Sequence, residues 1–190
     1  MIPESIHVLI RTGATERPKV ALEDSTALFW VEWNEDDDQV PGLCAAMLET
    51  TELSSVWDGD DLYIMWRGRR VPVPLPKSVL ASIAASPLVA VLDAFLPVSL
   101  GNLLSWPSRG NRHITILSLC QALHPDYEIR YLRRSRAEGC AAFAALGPGE
   151  WLALEQQYGG SAVEGVFVPI REHPNLFTRD VFPVDEMSPP

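Results

Sequence analysis

Residues 54–75, SSVWDGDDLYIMWRGRRVPVPL, carry a period-two hydrophobic pattern that glycine interrupts twice. Glycine reaches positive φ without steric cost, and two-residue hairpin loops need such a residue. The turns fall at Asp58-Gly59-Asp60 and Arg67-Gly68-Arg69, so the stretch reads as a three-strand antiparallel meander. In its last strand Val71, Val73 and Leu75 alternate with Arg70, Pro72 and Pro74. Proline has no amide to give to a ladder, which places this strand at a sheet edge.

Working outward toward the N-terminus, residues 26–33 (TALFWVEW) alternate as a strand, with Leu28, Trp30 and Glu32 on one face and Phe29, Val31 and Trp33 on the other. Residues 5–11 (SIHVLIR) are short, apolar and β-branched, and are predicted as a further strand followed by a loop over 12–19. Asp38 is predicted to cap a helix running through Pro41, Leu43, Cys44, Met47 and Leu48. Toward the C-terminus, Asn111 caps a helix through Leu123 with Ile114, Leu117, Leu119 and Ala122 inward, and His124-Pro125-Asp126 ends it. Residues 127–133 read as a half-buried strand, and 140–146 (CAAFAAL) as its antiparallel neighbour. Helices are predicted over 150–158 and 161–168, then a tail anchored by Phe177 and Phe182. Local strand pairs mixed with helices give an α+β fold class, an antiparallel sheet of hairpins and meander covered by short helices. The expected organisation is one domain over 1–182, with a subdivision near 77–110 as the alternative, and a flexible tail over 183–190.

Between Lys77 and Arg109 the only charged residue is Asp93. A membrane span needs about 20 mostly apolar residues, and this run is long enough. Pro87, Pro97 and Pro107 argue against one regular helix, and a carboxylate at mid-bilayer costs about 2.5–3.5 kcal/mol. The segment reads instead as two or three short helical pieces, a buried hairpin over 78–107 that covers a sheet. A docking surface centred on Leu88, Leu92, Phe95 and Leu96 is the alternative.

The 190 residues carry a formal net charge of −10 and are 47% hydrophobic, which excludes global disorder and disfavours a nucleic-acid partner. The charge is uneven: residues 1–66 hold fourteen acidic against three basic side chains. No secretory signal is read at the N-terminus, where Glu4, His7 and Arg11 interrupt any apolar run. Cys44, Cys120 and Cys140 are odd in number and widely spaced, so buried free thiols in a reducing cytoplasm are expected.

The chemical motifs are weak. Asp58, Asp60 and Asp61 around Gly59 evoke a calcium loop, but Leu62 and Arg69 stand where two ligands are required. His7, His113, His124 and His173 lack metal-ligand spacing. A Cys120 pair with His113 or His124 is outweighed by a thiol on an apolar helix face. No G-x-S-x-G, P-loop or dinucleotide fingerprint is present. The reading therefore assigns no catalytic residue, no cofactor and no metal.

From 111 to 177 an apolar helix leads into DYEIR (126–130), then AAFAAL (141–146), W-x-x-L-E-x-x-Y-G (151–159) and PNLF (174–177). This run resembles uncharacterised small bacterial proteins, among them immunity proteins of polymorphic-toxin and type VI secretion systems. The resemblance implies an acidic, soluble α+β protein that neutralises a toxin by binding it, and it carries over no functional residue. The expected function is thus a non-enzymatic, cytoplasmic protein-binding module with a basic protein partner, met by Trp33, Glu35, Asp36, Asp37, Asp38, Trp57, Asp58, Asp60 and Asp61. The competing expectations are a hydrolase assembled from scattered His, Asp and Arg residues, and docking on a membrane or assembly through 78–107.

Overall fold

The period-two stretch forms the expected hairpins in the computed structural model of the chain, which describes residues 1–13, 27–32, 35–75, 111–133, 135, 140–172 and 176–177. Strands β2 (Leu53–Asp58), β3 (Asp61–Trp66) and β4 (Arg69–Val73) form an antiparallel sheet in that order. Gly59 has φ 59° in the first loop; Arg67 and Gly68 have φ 48° and 77° in the second, as a primed turn requires. Leu62, Ile64, Trp66, Val71 and Val73 are buried while Arg70, Pro72 and Pro74 face outward, and β4 is an edge strand among the described residues.

A second antiparallel sheet orders β1 (Phe29–Glu32), β6 (Cys140–Leu146), β5 (Glu128–Leu132) and β7 (Phe167–Pro169) as β1-β6-β5-β7. Its side chains divide with period two between separate cores. Phe29, Val31, Ile129, Tyr131, Ala141, Phe143 and Ala145 join the three-stranded sheet, helix α2 (Val40–Met47) and helix α3 (Asn111–Leu123). Leu28, Leu132, Ala142, Ala144, Leu146 and Phe167 meet helices α1 (Glu4–Thr12), α4 (Pro148–Tyr158) and α5 (Gly160–Val166) on the other side. Strand β5 is therefore buried on both faces, not half-buried as expected, because helices close the face that carries Arg130 and Leu132. The alanines of β6 leave room on both sides for large neighbours.

Three expectations need correction. Residues 5–11 form helix, not strand: Ile6, Leu9 and Ile10 are buried at helical spacing and Val8 is 42% exposed. Gly13 closes that helix at φ 62°, its amide bonding to the carbonyls of Ile10 and Leu9. The inward face of α3 is rotated: Ile116, Leu119, Ala122 and Leu123 are buried, whereas Ile114 and Leu117 are only half-buried. Phe167 and Val168 end α5 by entering β7, where Leu132 and Tyr131 provide a strand to pair with. The apolar segment 78–107, Trp33, Phe182 and the tail 183–190 lie outside the described residues.

An arginine ties the three-stranded sheet to the end of helix α3. Arg69, at the start of β4, donates through Nη2 to the carbonyl oxygens of Gln121 (3.1 Å), Ala122 and His124 (2.9 Å). These carbonyls lie at the C-terminal end of α3, where the helix leaves acceptors unsatisfied and favours a cation. Arg69→Met is expected to lower stability by about 1–2 kcal/mol, measured by urea denaturation. Arg69→Lys is expected to recover only part of it, since an ammonium lacks the planar fork.

Candidate functional site

The residues singled out for a partner come from two segments that the fold brings together. The loop at 35–39 leads into α2, and the β2–β3 hairpin ends beside it. The indole N–H of Trp57 donates to the Asp38 carboxylate at 3.0 Å, and Ser55 Oγ donates to the Asp38 carbonyl at 2.5 Å. Asp38 thus spends its carboxylate on Trp57 and does not cap α2; Gln39 holds the N-cap position, without a side-chain bond to the helix. Trp57 remains 48% exposed and its neighbour Val56 42%. Asp58, Asp60 and Asp61 are exposed at the hairpin tip, and Asp36 is exposed on the adjoining loop. Asp58 pairs with Arg70 at 2.5 Å, and that guanidinium lies over the Tyr63 ring, 3.5 Å from its centroid.

Asp37 departs from the rest of this acidic group. It is 8% exposed, and the Thr115 hydroxyl of α3 donates to its Oδ1 at 2.8 Å. Burial raises its pKa above the ordinary 3.8; the Thr115 bond and the Arg112 charge oppose the shift, and Asp36 and Asp38 add to it. A raised carboxyl pKa means that the folded state holds this proton more tightly than the unfolded chain. Its contribution to stability is therefore greatest at acid pH and falls as pH rises from the ordinary value through the raised one. Asp37→Asn keeps an oxygen acceptor for Thr115 and is expected to flatten that part of the stability–pH curve, measured by urea denaturation at stepped pH.

Arg67 and Arg130 are each paired with two carboxylates of the chain. Arg67 bonds Glu52 at 2.9 Å and Asp126 at 2.9 Å, and Asp126 also accepts the Trp66 indole N–H at 3.0 Å. Arg130 is shared between Glu128 and Glu155.

The residues considered for hydrolysis are dispersed. His113 opens α3 and is buried, bonding through Nε2 to the carbonyls of Arg171 (2.8 Å) and Glu172 (3.1 Å). His124 and Asp126 lie beyond the other end of that helix, about 16 Å along its axis at 1.5 Å per residue. Burial pushes the Cys120 thiol up to about 12 and that of Cys44 further still, so both stay protonated and unreactive at neutral pH. Among the described residues no group of three or more His, Cys, Asp or Glu is placed to hold a metal ion. No described helix is long and apolar enough to cross a membrane.

The sequence signal that separates Asp37 from its neighbours is slight: a carboxylate three positions before α2 turns inward where Thr115 offers a hydroxyl. The convergence of Asp38 on Trp57 is a tertiary contact that local pattern does not encode. Comparison of the chain with protein-family models, with curated proteins and with solved structures returns no match.

Proposed function

We propose that the protein is a non-enzymatic binding module whose acidic face, built from the 35–39 loop and the β2–β3 hairpin, engages a basic protein partner. The observation that carries this reading is the Trp57–Asp38 contact, which fixes a half-exposed aromatic side chain between an acidic loop and a hairpin whose Asp36, Asp58, Asp60 and Asp61 are exposed. A large, pre-positioned aromatic ring suits an interface anchor, and surrounding charges of one sign steer an oppositely charged partner. The concrete form is an immunity-type protein of a bacterial cytoplasm that neutralises a toxin by occupying it. The separation of His113 from His124 and Asp126 favours binding over hydrolysis.

Trp57→Ala is expected to weaken partner binding by about 2 kcal/mol, roughly thirty-fold, while leaving the fold intact. Calorimetric titration of the partner, alongside thermal denaturation of the variant, checks both halves. Unchanged affinity in a folded Trp57→Ala protein would remove the ring from the interface.

A further inference from the structure

We infer that the partner is held by strand addition along the outer edge of β2, and that it presents an extended segment in which cationic and β-branched residues alternate. The inference rests on the acidic-face reading above. Among the described residues strand β2 pairs with β3 alone, so one of its edges lies outside the sheet ladder. The register Asp58↔Asp61 closes a two-residue loop, which makes that pair a hydrogen-bonded one; the bonded positions then alternate back through Val56 and Ser54. The Arg67 amide bond to the Glu52 carbonyl, 3.2 Å, extends the same alternation. The backbone groups of Ser55 and Trp57 therefore point away from β3, and among the described residues no backbone partner meets them.

An open edge of this kind is a template for another strand. Its surroundings select the occupant. A second copy of the chain would bring together two molecules of net charge −10 and oppose the hairpin-tip aspartates of each with Glu52 of the other. A cationic strand meets the same carboxylates as attraction. Val56 and Asp58 stand two apart and share the outward face of β2, so the added strand's cationic positions fall on that face and its β-branched ones on the face of Ser55 and Trp57. Trp57, on the core-facing side of the same strand, closes over the added backbone.

The test uses the full-length protein and a short synthetic peptide of alternating lysine and valine. A matched peptide, N-methylated at every second amide, keeps the charge and loses the ladder donors. Strand addition predicts salt-sensitive binding of the first peptide, at least ten-fold weaker binding of the second, and slowed hydrogen exchange at the Ser55 and Trp57 amides. Equal binding of both peptides, lost on Asp60→Lys with Asp61→Lys but without exchange protection at Ser55 and Trp57, would overturn strand addition and leave the acidic-face reading standing. Absence of salt-sensitive binding by either peptide would overturn both.

Discussion

Replacing Phe143 by alanine is expected to lower the free energy of unfolding by about 3–5 kcal/mol, a large share of a small domain's total. Phe143 is fully buried in the middle of β6, and three aromatic rings surround it. Phe29 stacks on it at a centroid distance of 5.3 Å, Tyr131 lies at 5.7 Å and Phe177 at 6.3 Å. These rings come from β1, β5 and the segment after β7, so the cavity left behind is bounded by separate elements that cannot collapse together. The flanking Ala141 and Ala145 have no bulk with which to refill it. Phe143→Leu is expected to retain most of the stability, because it replaces much of the lost volume. Urea denaturation of the two variants checks the ordering; equal midpoints would show that this cluster does not centre the core.

The second large effect is at Arg130, whose side chain is 7% exposed. Its Nε donates to Glu128 at 2.7 Å and its Nη1 to Glu155 at 2.8 Å, and the guanidinium lies over Trp151 with its carbon 4.4 Å from the ring centroid. The place is made by Ala144, which stands opposite Arg130 in the ladder and leaves space above the sheet. Trp151 is fixed in turn by its indole N–H, which donates to the Glu128 carbonyl at 2.9 Å. Arg130→Met fills the apolar part of this space but leaves two glutamates facing each other without their cation. Removing one partner of a fully buried pair costs about 3–5 kcal/mol; these glutamates are about a third exposed and can hydrate, so about 2–3 kcal/mol is expected. Adding Glu155→Gln to Arg130→Met is expected to return part of the loss. A double-mutant cycle by denaturation measures this coupling, and strict additivity would contradict it.

Much of the architecture was legible because it rests on local chemistry. Gly59 and Gly68 mark the hairpins, Pro72 and Pro74 mark the edge, and Gly147-Pro148 marks the passage from β6 into α4. Pattern and structure part where two periodicities fit the same few residues. In 5–11, β-branched Ile6, Val8 and Ile10 suggest alternation, yet only the Ile6, Leu9, Ile10 spacing finds a buried neighbour once α4 and α5 pack beside it. The inward face of α3 departs from the apolar pattern for a related reason. Arg112, His113, Thr115 and Ser118 are buried polar residues, and the partners of Thr115 and His113 come from distant segments, Asp37 and the carbonyls of Arg171 and Glu172. The acidic residues of the candidate site were visible in the sequence as charge. Their division into an inward Asp37, a ring-holding Asp38 and an outward set was not, since it depends on which backbone passes nearby.

The most direct test of the acidic-face account compares wild type with Asp36→Lys, Asp60→Lys, Asp61→Lys combined, residues that carry no packing in the core. Each protein is used for affinity capture from bacterial lysate at low and high salt, and the captured protein is then titrated calorimetrically. The account predicts that wild type retains a basic protein at low salt, releases it at high salt, and that the charge-reversed protein binds it at least ten-fold more weakly. Equal affinity of both proteins for the captured partner, with no dependence on salt, would contradict it.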